Sequence, residues 1–191
     1  MKRILAGMLL VLVLSTVMTM CISTTSPTSS KSLTTTSLQQ STTTTSQDQK
    51  TSTSTPQIDL TKLHFYMFGA AGCPHCGRMK EEIPKHFGKD KFTYYELQGN
   101  DHNTQLFSEL YNILGVTGVP VIGIFYDNHL VAVIEGEIPD PSRNVPLIVK
   151  TALEEDGVLF ITDKTYLIPS NKTEVINKLE TIFMNGEPSE G

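Results

Sequence analysis

Leu63-His64-Phe65-Tyr66-Met67-Phe68-Gly69-Ala70-Ala71-Gly72-Cys73-Pro74-His75-Cys76 is the stretch on which the reading of this chain turns. Its first six residues, apolar apart from His64, have the length and composition of a largely buried strand. Gly69 to Gly72 are small and let backbone approach closely. A helix is predicted to start at or near Cys73, because Pro74 suits an early helical position where its missing N–H is not needed. Met79, Ile83 and Phe87 continue a helical stripe, and Pro84 predicts a kink or an early end. A CxxC pair alone also serves zinc and iron–sulfur sites. Strand, cysteine pair and helix in that order is the redox arrangement. The third cysteine, Cys21, lies far upstream, so this is one local pair and not a disulfide framework. A bridge over two residues closes a loop too small to stabilise much by chain entropy. Its value lies in being opened and closed.

Downstream, Phe92 to Leu97 reads as a second strand, and Asn100-Asp101 as the cap of a helix carrying Leu106, Leu110, Ile113 and Leu114 on one face and ending by Gly115. Val116 to Phe125 is an apolar strand with Pro120 at its mouth. A proline there predicts an edge or special position and allows a cis peptide. Asp127-Asn128 is a turn into the partner strand Leu130 to Ile134, making a β-hairpin. Ile138 to Arg143 reads as a loop, Val145 to Glu155 as a helix despite Pro146, and Val158–Ile161 and Thr165–Ile168 as two short strands or an extended excursion. Asn171 is the expected cap of a last helix running to Phe183, with Val175, Ile176, Leu179 and Ile182 inward. Asn171-Lys172-Thr173 also matches an N-glycosylation acceptor.

Upstream, the chain is of another kind. Met1-Lys2-Arg3 is positive, and the 17 residues Ile4 to Met20 carry no charge. This pattern suits a signal segment whose positive end stays in the cytoplasm while the rest of the chain is exported. From Ile22 to Pro56, 23 of 35 residues are Ser or Thr. No face of such a segment can be buried, so it reads as a disordered and O-glycosylated spacer. The expected organisation is therefore 1–21 anchor, 22–58 stalk, 59–186 folded domain and 187–191 flexible tail. A formal net charge of −5 without a basic stripe gives no footprint for nucleic acid.

The order strand, CxxC, helix, strand, helix, Val-Pro strand, hairpin strand, final helix resembles the thioredoxin fold over Leu63 to Gly136 and again at the last helix. Cys73-Pro74-His75-Cys76 resembles the active-site quartet of DsbA-type oxidases and of related archaeal proteins. Thr117-Gly118-Val119-Pro120, 44 residues on from Cys76 to Pro120, looks like the family's cis-proline loop. The resemblance implies an α/β domain with a central mixed sheet flanked by helices. The extra material between Gly136 and the final helix is an addition to that plan. Two departures stand out. Met67 occupies the position, six residues before the first cysteine, where many members carry a buried acid, so deprotonation of Cys76 falls to water, substrate, Glu96 or Lys62. The helical insertion of DsbA-type proteins is missing ahead of the Val-Pro strand. The N-terminus resembles a lipoprotein signal with Cys21 as the lipidated residue, in the looser archaeal form, since Met18-Thr19-Met20 replaces the small residue that bacterial signals place before the cysteine. An uncleaved anchor and a released domain are the alternatives.

At the site, Cys73 is the expected nucleophile, its thiolate facing the unsatisfied N–H groups and dipole of a helix start. Cys76 resolves the mixed disulfide. His75 is expected to stabilise the Cys73 thiolate by hydrogen bond or charge, with Arg78 adding positive potential. The resemblance implies that Pro120 packs on the disulfide. The backbone of Val119, with Gly118 and Pro74 beside it, is the expected pairing surface for an extended segment of substrate. No cofactor beyond the Cys73–Cys76 disulfide is expected. The expected partners are cysteine-bearing segments of exported proteins and a membrane redox protein, with the chain itself a monomer held at the outer face of the membrane. Oxidation or isomerisation is the first reading, and disulfide reduction fed by a membrane donor is the second. The third is metal carriage by Cys73, Cys76 and His75, completed by His64, His86 or another chain. His64 itself is expected to be a satisfied strand residue, and His86, His102 and His129 to lie at the surface.

Overall fold

The computed structural model describes residues 58–189. The segment expected as an anchor, Cys21 and nearly all of the expected stalk lie outside the described residues. Within them, no helix is long and apolar enough to cross a membrane.

Asp59 opens the domain by accepting the Thr61 N–H at the head of a single 3-10 turn, Leu60–Lys62. Strand β1, Leu63–Gly69, follows. Its side chains alternate between faces. Leu63, Phe65 and Met67 enter one core, while Phe68 and the half-buried Tyr66 enter the other. Burial on both faces explains why β1 reads as an almost unbroken apolar run. Helix α1, Pro74–Phe87, has Cys73 as its N-cap and Pro74 at its start. Pro84 does not end it. The helix continues through the proline for one more turn to its C-cap at Gly88, whose N–H donates to the Pro84 carbonyl.

Strand β2, Phe92–Glu96, runs parallel to β1. Helix α2, Asp101–Leu114, is capped by the Asn100 side chain and closed by Gly115 in the left-handed conformation. Strand β3, Val121–Tyr126, and strand β4, His129–Glu135, are antiparallel. Asp127 and Asn128 between them both have positive φ, as a two-residue hairpin turn of this hand requires. Of the edge and special positions expected for Pro120, the second is found. β3 is an interior strand, paired with β1 on one side and β4 on the other. Pro120 sits immediately ahead of it, outside the paired register, so no ladder bond is lost. The Val119–Pro120 peptide is cis.

Helix α3, Pro141–Glu154, starts four residues earlier than expected, because Pro141 occupies its first position instead of the loop. Strands β5, Gly157–Ile161, and β6, Thr165–Pro169, are no excursion. β5 pairs parallel with β4, β6 antiparallel with β5, and together they extend the sheet to the order β2-β1-β3-β4-β5-β6. Helix α4, Thr173–Met184, is capped at Lys172 without a side-chain bond, so Asn171 is not its cap. Phe183, not singled out in the sequence, is its most deeply packed aromatic, while Val175 and Ile176 are only half-buried.

Helices α1 and α3 cover one face of the sheet and α2 and α4 the other. The fold is thioredoxin-like, with α3, β5 and β6 added after the core sheet. Residues 187–189, where the expected tail begins, are hydrogen-bonded to the domain. Buried Asn103 donates to the carbonyls of Glu96 and Glu187 and accepts the Glu187 N–H, and the Ser189 N–H donates to the Tyr94 carbonyl. This strap covers the free edge of β2.

Candidate active site

Three elements meet at the disulfide. The loop after β1 turns at Ala71-Gly72 and is closed by the Cys73 N–H donating to the Ala70 carbonyl. It delivers Cys73 to the N-cap of α1 and leaves Cys76 one turn along. The two are joined, with their Cα atoms 5.3 Å apart. Cys76 is 1% exposed, whereas Cys73 is half-exposed, so an incoming thiolate meets Cys73. The Cys76 N–H points at the Cys73 sulfur at 3.2 Å. That N–H belongs to the first turn and has no partner within the helix. A thiolate on Cys73 therefore finds a donor and the positive helix end already in place. The Cys73 sulfur also lies 3.7 Å from the Val119 carbonyl, which brings the Val119–Pro120 loop to the pair.

This is a thiol–disulfide redox centre on a thioredoxin-like fold. No family model matches the chain, and no curated protein matches it.

Of the other expected residues, Pro74 is exposed, Pro120 is buried and Val119 is half-buried against the core that holds both cysteines. Gly118 is exposed, but its N–H is already engaged. The Glu135 Oε1 accepts the N–H groups of both Thr117 and Gly118 at 2.7 Å. Glu135, at the end of β4, thus holds the loop ahead of Pro120, and Gly118 offers substrate no free N–H there.

His75 and Arg78 are engaged with each other and with Glu137. The His75 Nδ1 faces Arg78 Nη2 at 2.8 Å and Glu137 Oε2 at 3.2 Å, not Cys73. With its proton on Nε2, the ring accepts from Arg78; with Nδ1 protonated, it donates to Glu137. Arg78 Nε donates to the other oxygen of Glu137. The Arg78 guanidinium, and then the His75 contact, hold the Glu137 carboxyl below the usual carboxylate range against the opposing effect of burial. Nothing in the sequence singled out Glu137. The signal available was its place directly after Gly136.

Beneath the pair, Met67 is fully buried and contributes no proton acceptor. Of the proposed substitutes, Lys62 is excluded. It precedes β1, at the strand end about 20 Å from the cysteines, and pairs with Asp127. Glu96 is nearer. Gly69 pairs with it in register, and the place a Gly69 Cβ would take lies 3.2 Å from both the Cys76 sulfur and the Tyr94 hydroxyl. Tyr94 donates that hydroxyl to Glu96 Oε2 at 2.9 Å. Burial, with this bond, raises the Tyr94 phenol far above its ordinary value. Burial alone would raise Glu96 too, but bonds from the Gln98 N–H, the Tyr94 hydroxyl and the Ala71 N–H more than offset it and leave the carboxyl low.

The histidines proposed to complete a metal site are elsewhere. His64 Nε2 meets the Thr93 hydroxyl at 2.9 Å on the strand pair. His86 is bound to Glu82 in the last turns of α1, about 16 Å along the helix from His75. Among the described residues, no group of three or more His, Cys, Asp and Glu is gathered as a metal cluster.

Proposed function

We propose that this domain is a protein thiol–disulfide oxidoreductase acting on cysteine-bearing segments of exported proteins, in the oxidising or isomerising direction. The observation that carries the reading is the pairing of a half-exposed Cys73 at a helix N-cap, with the Cys76 N–H aimed at its sulfur, and a buried Cys76. A substrate thiolate attacks the Cys73 sulfur, forming a mixed disulfide and releasing Cys76 as the leaving thiolate. A second substrate thiolate then attacks the substrate sulfur. The substrate leaves as a disulfide, Cys73 leaves as a thiolate, and two electrons now reside in the Cys73–Cys76 dithiol. A membrane redox partner accepts those electrons and restores the disulfide. Extended substrate finds the Val119 backbone beside Cys73. It also finds an apolar groove between α3 and β5, lined by Ile138, Leu147, Ile148, Leu159 and Ile161, with Glu137 at its margin. Export by the N-terminal segment, tethering through Cys21 and the Ser/Thr-rich stalk, and a monomeric state complete the proposal.

The test is the reduction potential of the full chain in glutathione buffers, with the Cys73 thiolate fraction followed across pH. A value of about −120 to −180 mV supports an oxidant or isomerase. A value near about −270 mV, as in thioredoxin, turns the reading to a reductase fed by a membrane donor. Absence of a reversible disulfide overturns the redox reading.

A further inference from the structure

Glu137 is delivered to the redox centre by the backbone itself. The Gly136 N–H donates to the Pro120 carbonyl at 2.8 Å, and Gly136 has a φ of 105°, which an L side chain rarely adopts. This link ties the end of β4 to the cis-proline loop and turns the chain so that the next side chain lies over the first turn of α1. There the two Glu137 oxygens take up Arg78 Nε and His75 Nδ1.

The other charged groups at this end of the sheet are engaged elsewhere. Glu135 holds the Thr117 and Gly118 N–H groups. Glu96 holds those of Ala71 and Gln98 with the Tyr94 hydroxyl. Lys80 lies over the Tyr94 ring, 4.1 Å from its centroid. Glu137 is thus the carboxylate that meets both Arg78 and His75.

We propose that Glu137 is a positioning residue of the redox centre: by binding Arg78, with His75 beside it, it withdraws the positive charge of Arg78 from Cys73 and makes the disulfide less oxidising than a Pro-His pair between the cysteines would by itself. The proposal rests on the thiol–disulfide reading of Cys73 and Cys76. The physical link is direct. Reduction by two glutathione thiols moves two electrons into the pair, yields glutathione disulfide and leaves Cys73 free to ionise. Whatever stabilises that thiolate draws the equilibrium toward the dithiol. A carboxylate that occupies the Arg78 guanidinium acts in the opposite sense.

The experiment is the glutathione equilibrium and the thiolate pH profile for the wild type, E137Q, E137D, R78M and the E137Q/R78M pair. E137Q is expected to shift the equilibrium toward the dithiol by about threefold to tenfold, equivalent to about half to one pKa unit of thiolate stabilisation. Its Cys73 thiolate is expected to persist to lower pH. E137D, which keeps the charge, stays within about twofold of the wild type. In the R78M background the E137Q shift shrinks, because the cation it would release is gone. An unchanged equilibrium in E137Q overturns the proposal while leaving the redox reading intact. A shift of the same size with and without Arg78 also overturns it, since the carboxylate would then act without the clamp. No reversible disulfide in the wild type sinks both readings.

Discussion

Cys73 and Cys76 are three residues apart, yet one meets solvent and the other is 1% exposed. That asymmetry makes their substitutions unequal. Cys76→Ser is expected to accumulate a mixed disulfide with a thiol substrate, since no resolving thiol remains. Cys73→Ser is expected to give none and to reduce exchange to the uncatalysed background. Non-reducing electrophoresis and intact mass distinguish the two. Gly69 shows how tightly the buried sulfur is held. A Cβ there meets Tyr94 Cε2 at 2.8 Å and the Cys76 sulfur at 3.2 Å. Gly69→Ala should therefore destabilise the domain by about 1–3 kcal/mol, the usual cost of overpacking, read from the denaturant midpoint. Glu96 provides the pH test at this scale. Its folded-state pKa lies below the ordinary value. Its contribution is then fully present above the unfolded carboxylate pKa and is lost as pH falls through the lower folded value. The stability gap between the wild type and Glu96→Gln, about 1.5–3 kcal/mol at neutral pH for hydrogen bonds to a charged group, should begin to narrow below about pH 4 and vanish once pH has fallen past the lowered folded value. A gap that persists in acid would show that the carboxylate's charge is not what matters.

At the scale of elements, α2 and residues 187–189 are one unit. Asn103, completely buried, satisfies its amide on Glu96 and Glu187 and so holds the strap along β2. Asn103→Ala leaves those backbone groups without partners, and about 2 kcal/mol of stability should be lost. Hydrogen exchange at the Glu187 and Ser189 amides should rise well before that at β1. Equal protection in the variant would mean that the strap does not depend on the amide. The heads of α1 and α2 were legible in the sequence because their signals are local chemistry: Pro74 in the first turn after a small-residue loop, and the Asn100 side chain as a cap. The head of α3 was not. Pro139 and Pro141 read as loop residues, and only the structure distinguishes a proline in a loop from one in the first turn. The same ambiguity hid the interior place of β3, since Pro120 lies just outside the ladder and not in it.

For the molecule as a whole, stability and redox chemistry are two readings of one cycle. If the folded domain favours the Cys73 thiolate, folding favours the dithiol form, and the disulfide is a stronger oxidant by the same free energy. The dithiol domain should then unfold at a higher denaturant concentration than the disulfide domain, measured side by side at neutral pH. A more stable disulfide form would place the centre among reductants. The added α3, β5 and β6 lie in the interior of the chain order but at one edge of the sheet. Their apolar stretches were visible, but their pairing with β4 was not, because a parallel crossover is specified by packing across α3 and not by neighbouring residues.

The sequence by itself determined the redox pair, the helix that starts on it, the Val-Pro loop 44 residues further on and the strand–helix order that makes the fold thioredoxin-like. Each of these is written in short spacings whose physics is local: a thiol at a helix start, a proline before a strand, a period of two or of 3.6. Only the tertiary structure decided which charges face the cysteines. Glu135, Glu137 and Glu96 come to one end of the sheet from two different strands and a loop, Lys62 is carried to the other end, and His75 is turned from Cys73 to a carboxylate more than 60 residues away along the chain. Such contacts depend on where the strands stop and how the chain leaves them, and no local pattern of residues encodes that.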